Sequence, residues 1–136
     1  MVFLLGENGK VSPIIWQSRK LNRVTKCPLA SETLALCEAA DSGFLVASMI
    51  QEMFNLSSFP KVECYTDNAS LTETLGTSKI VSDKRLRVDI ARLKEMVGEG
   101  EIEVNWVEGK EQLADTLTKR GASTSKLLDV LSSSTF

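Results

Sequence analysis

Histidine is absent from the 136-residue chain, and cysteine and proline occur only three times each. With no histidine, and with Cys27, Cys37 and Cys64 forming no close pair, neither a zinc site nor a disulfide framework has support. The three cysteines are therefore expected to be buried thiols in a reducing compartment. No leader is expected either: Met1-Val2-Phe3-Leu4-Leu5 is too short for the apolar region of a signal peptide, has no positive residue ahead of it and breaks at Gly6. No later segment is expected to be long enough to cross a membrane, so an intracellular place, cytoplasmic or nuclear, with no membrane partner is expected. The chain also lacks a basic balance. A net charge of -2 and a pI near 5.2 carry no bulk signature of a nucleic-acid binder, so any such contact must be local.

With 43% apolar and 25% charged residues, the composition is that of a globular α/β or α+β protein, and the length fits a single domain over residues 1–136. Val2–Leu5 and Val11–Trp16 flank Gly6-Glu7-Asn8-Gly9-Lys10, whose Asn-Gly step predicts a β-hairpin. Pro28 fits a helix start, and Leu29 to about Phe54 holds no proline and one glycine, which predicts the longest helix. Val62–Thr66 reads as a strand closed by Asp67-Asn68, with a short helix over Ala69–Leu75. Leu86, Ile90, Leu93 and Val97 mark one face of a helix over Ser82–Val97, ended by Gly98 and Gly100. Ile102, Val104 and Trp106 alternate with polar residues as a half-buried strand does. Helical stretches at Glu111–Lys119 and Ser125–Leu131 follow, and Ser132–Thr135 has nothing to bury and should fray. This order predicts a mixed sheet flanked by helices.

Three acids stand out by position. Glu32 shares a helix face with Leu36, Ala39, Gly43, Ala47 and Ile50, so it is either a first-turn acid facing free amide hydrogens or a metal ligand aimed at a sheet edge. Asp67 ends a strand and precedes a helix, which suits a cap or turn acid and equally suits the strand-end place where open sheets put ligand groups. Asp115 lies opposite Leu113 and Leu117, the position of a solvated surface acid.

What unites them is a resemblance. Pro13-Ile14-Ile15-Trp16-Gln17-Ser18-Arg19-Lys20, followed by Leu29-Ala30-Ser31-Glu32-Thr33-Leu34-Ala35-Leu36, resembles the "SRK…AAETLAL" stretch of ribonuclease H domains in copia-type LTR retrotransposons. Tyr65-Thr66-Asp67-Asn68-Ala69-Ser70 is similar to the family's "DNKS" strand end, and Lys84–Ile90 resembles its "KHIDIR" helix. Glu111-Gln112-Leu113-Ala114-Asp115-Thr116-Leu117-Thr118-Lys119 closely matches its "EQLADxLTK" ending.

The resemblance implies a ribonuclease H-like α/β fold, carried in a Pol polyprotein behind a reverse transcriptase. It implies a nuclease that hydrolyses the RNA strand of an RNA–DNA hybrid with two Mg²⁺ ions held by four carboxylates, the ions about 4 Å apart. By carry-over Glu32 would bind one metal and Asp67 and Asp115 the other. The family's first acid lies on a central strand preceding the hairpin and bridges both metals. Here no acid precedes Glu7, so an N-terminally incomplete domain with a gap beside Val62–Thr66, weak metal binding and impaired catalysis is expected.

For nucleic-acid contact, Ser18, Arg19, Lys20, Arg23 and Asn68 are the candidates, with Lys26 in the same basic stretch before the long helix. Lys84, Arg85, Arg87, Arg92 and Lys94 decorate the amphipathic helix and read equally well as a solvated face. Two further functions stay open. One is a catalytically inactive ribonuclease H-like remnant that binds nucleic acid or protein; the other is a small α/β interaction module whose acids are only caps.

Overall fold

The computed structural model describes residues 1–78 and 81–135. It is a mixed α/β structure whose residues gather into two compact units, Leu21–Val107 and the combination of Met1–Lys20 with the chain from Glu108 onward.

In the second of these units, β1 (Val2–Leu5) and β2 (Val11–Ile15) form an antiparallel hairpin. The turn works because Asn8 and Gly9 take left-handed backbone at φ 59° and φ 70°, conformations that these two residue types tolerate best. Pro13 pairs opposite Phe3 on an outer strand, where a missing N–H costs no ladder bond to a further neighbour. The stretch expected as one helix over Glu111–Lys119 is broken into a 3-10 turn at Gly109–Glu111 and a short α4 (Asp115–Thr118); α5 (Ser125–Ser133) follows. Val11, Leu113, Leu127 and Val130 form the core, with Met1, Phe3 and Leu117 against it. The expected fraying of Ser132–Thr135 is not seen. Thr135 bridges Lys10, and the Val11 N–H donates to the carbonyl of Ser134 at 2.8 Å, so the tail finds its partners in the outer strand of the hairpin.

In the unit Leu21–Val107, α1 (Pro28–Phe54) starts with Pro28 in its first turn and ends at Asn55 in left-handed backbone. The strand β3 (Val62–Thr66) leads to α2 (Ala69–Gly76), whose first turn is capped by the side-chain oxygen of Asn68 accepting from the Leu71 N–H at 3.1 Å. Asp83 caps α3 (Lys84–Gly98) by accepting from the Arg85 and Leu86 amides, which hold its carboxyl below the ordinary range. The strand β4 (Ile102–Trp106) pairs in parallel with β3, Val62 beside Ile102 through Thr66 beside Trp106. Leu36, Ala40, Ala47, Val62, Cys64, Leu71, Leu93, Met96 and Ile102 make the core.

Two expectations are corrected. Among the described residues, the strands form two separate two-stranded sheets, one antiparallel and one parallel, rather than one mixed sheet. Helix α1, with 27 residues, is long and apolar enough to cross a membrane by length and composition, although Leu36, Ala40 and Ala47 on it serve a packed core. Its other faces leave Leu45, Met49, Met53 and Phe54 exposed.

Candidate functional site

The parallel pair β3–β4 has two unlike faces, because side chains alternate along a strand. Val62, Cys64, Thr66 and Ile102 are buried on one face. On the other, Lys61 reaches both Glu63 at 2.9 Å and Glu103 at 2.7 Å, and the Tyr65 hydroxyl donates to Glu63 at 2.7 Å. Hydrogen bonds from Lys61 lower the titration of both carboxyls, and the bond to Glu63 raises that of Tyr65. These carboxylates already have a cation between them.

Asp67 stands at the carboxyl end of β3, half-buried, directly before the Asn68 cap of α2. Buried Thr66 helps shape this turn, its hydroxyl accepting from the Asn68 N–H at 3.2 Å. The carbonyl of Asp67 accepts the indole N–H of Trp106 at 3.2 Å.

Glu32 is half-buried and lies beyond the first turn of α1, which holds no acid, so the reading of it as a first-turn acid is corrected. Its face does turn inward: Leu36 and Ala47 are buried, Ala39, Gly43 and Ile50 half-buried, and a Cβ built on Gly43 would stand 2.9 Å from Val62 on β3. The next residue, Thr33, is fully buried and donates its hydroxyl to the Leu29 carbonyl at 2.7 Å. Sequence reading passed over Thr33 and Thr66, since a threonine that satisfies its own hydroxyl locally leaves no pattern.

Asp115 belongs to the other unit, at the start of α4, half-buried, and accepts from the Lys119 ammonium at 2.6 Å. Hard carboxylate oxygens suit Mg²⁺ in type. Among the described residues, however, no three or more Asp, Glu or Cys side chains gather to hold a metal ion.

The expected nucleic-acid contacts are partly engaged within the protein. Arg23 is paired with Asp89, the Ser18 hydroxyl donates to the Leu117 carbonyl at 2.8 Å, and the Asn68 oxygen is used in its cap. Arg19 and Lys20 are exposed. On α3, Arg92 binds Asp41, Arg87 donates to the Val81 carbonyl at 3.1 Å, and Lys94 donates to that of Thr77, so this row serves the fold as well as solvent.

The cysteines also differ from expectation. Cys27 is exposed, Cys37 half-buried and Cys64 buried, and burial pushes the thiols of Cys37 and Cys64 up to about 11. Comparison of the chain with models of protein families, with curated proteins and with solved structures finds no match.

Proposed function

We propose that this chain is a retrotransposon-derived ribonuclease H-like domain, directed at the RNA strand of RNA–DNA hybrids and impaired in catalysis because it carries counterparts of three of the four family acids. The observation that supports this best is the place of Asp67. It follows a strand of a parallel pair, buried on one face, at its carboxyl end, where open α/β sheets put ligand-binding groups, and it lies within a block similar to the family's strand end. Glu32, on the face of α1 that turns toward β3, is consistent with the same reading. In this reading Mg²⁺ is the cofactor, and the partners are the hybrid and an upstream reverse-transcriptase region.

The test is cleavage of a labelled RNA–DNA hybrid in millimolar Mg²⁺. The chain alone should cleave poorly or not at all. Extending it with an N-terminal strand bearing an aspartate at the family position should restore cleavage, and Asp67→Asn in the extended chain should abolish it by removing ligand charge at nearly constant shape. Robust cleavage by the unextended chain, lost in Asp67→Asn, would contradict the impairment. No cleavage by the extended chain and no hybrid binding by either would sink the family reading.

A second reading is an inactive ribonuclease H-like fold that binds nucleic acid, and the Lys119 ammonium on Asp115 favours it, since that carboxylate is already neutralised by a cation. Its mark would be salt-dependent hybrid binding with no restored cleavage in the extended chain.

A further inference from the structure

The inward face of β4 changes character along its length. Ile102 is 3% exposed, Val104 half-buried and Trp106 53% exposed, so burial falls along β4 toward its carboxyl end, while Thr66 beside Trp106 on β3 stays buried. There the largest side chain of the strand stands beside Thr66 in the ladder and next to Asp67. An indole left half in water gains little from burial, and its polar edge is not what keeps it exposed, because the N–H is already satisfied by the Asp67 carbonyl. That bond fixes the edge of the ring on the turn after β3 and leaves its apolar surface open.

We propose that Trp106 is a stacking platform for an unpaired nucleobase beside Asp67. This rests on the reading of the chain as a hybrid-directed domain and adds a binding element to it. Aromatic side chains bind bases through their π-faces with little regard to sequence. In a paired hybrid those faces are covered by neighbouring base pairs, so the platform takes a single-stranded or frayed end. An orientation held by a hydrogen bond lowers the ordering cost of such a contact. The chain should therefore prefer a hybrid with a short single-stranded tail over a blunt one.

The experiment uses the full chain with Trp16→Phe, which leaves Trp106 as its one indole fluorophore. Dye-labelled blunt and tailed hybrids, with RNA or DNA tails, are titrated at low salt, following dye anisotropy for binding and indole emission for stacking. The expected result is quenching of Trp106 by tailed hybrids. Trp106→Ala should weaken binding of the tailed hybrid by roughly tenfold or more while leaving the blunt one unchanged, and Trp106→Phe should keep most of the gain. An RNA tail favoured over a DNA tail would place the ribose in the contact as well as the base. Tailed hybrid bound with unchanged indole emission would overturn the platform and leave the hybrid-directed reading standing; so would equal weakening of tailed and blunt hybrids by Trp106→Ala. Absence of any hybrid binding would overturn both. Because emission is read with Trp106 in place, the outcome does not depend on whether Trp106→Ala folds.

Discussion

Lys119 holds its ammonium 2.6 Å from the carboxylate of Asp115, one helical turn back along the chain. The pair joins two residues of the block most similar to the retrotransposon family, and it ties up the acid that the resemblance would assign to a metal. The lysine side chain is largely exposed, and an exposed pair at this spacing contributes about 0.3–0.5 kcal/mol. Lys119→Gln should therefore lower stability by no more than about 0.5 kcal/mol, and high salt should shrink the difference. Urea unfolding of both proteins at low and high salt checks this. A loss well above 1 kcal/mol would show a contact beyond an exposed ion pair.

Gly43 faces Val62 so closely that an added Cβ would stand 2.9 Å from the valine methyl. In an open helix position Gly→Ala stabilises by roughly 0.5–1 kcal/mol through the unfolded chain. Here overpacking, which typically costs about 1–3 kcal/mol, should outweigh that gain, so Gly43→Ala is expected to destabilise. Adding Val62→Ala removes the obstructing methyl, and the double variant should be more stable than the two single losses predict when added. Additive losses in a denaturant double-mutant cycle would count against the contact.

Cys37 and Cys64 have thiols pushed up to about 11 by burial, with the Asp89 charge adding to the effect at Cys37. Between about pH 9 and 11 the unfolded chain releases these protons while the folded chain keeps them, so the unfolded state binds fewer and stability falls as pH rises through that window. Below it the contribution is fully present. Tyr65, whose titration is raised by its bond to Glu63, adds the same sign further up. Melting temperatures across this range should fall less steeply in the Cys37→Ala, Cys64→Ala variant than in the parent chain. Parallel curves would exclude the thiols as the cause.

The Val11 N–H donates to the Ser134 carbonyl at 2.8 Å, and Thr135 bridges Lys10. Deleting residues 132–136 removes that acceptor, and amide exchange at Val11 should speed up. Val11 is itself buried, so the lost partner leaves an orphaned donor costing about 1–3 kcal/mol unless water reaches it. Exchange monitored by NMR at Val11, with the Phe3 and Leu4 amides as references, decides the matter. Unchanged protection would mean that burial alone holds the amide.

Local periodicity was enough to place most elements. The alternation at Ile102–Trp106, the helical spacing of Leu86, Ile90 and Leu93, the Asn8-Gly9 turn and the Pro28 start each need only neighbours within a turn or a strand, and each recurs in the structure close to its expected bounds, although Val97, expected on that helix face, is exposed and Met96 is buried instead. The placement of Asp67 at a strand end was legible for the same reason. Contacts between distant residues were not. Arg23 meets Asp89 across 66 positions, the tail finds Val11 across most of the chain, and Trp106 meets Asp67 across 39. Such pairings depend on which faces pack together, and a strand reads the same in sequence whatever lies beside it in space. That is also why a single mixed sheet was expected from strands that pair as two: edge partners are chosen by tertiary packing, while alternation records only which face is buried. The exposure of Cys27 and Trp106 was likewise decided by tertiary packing.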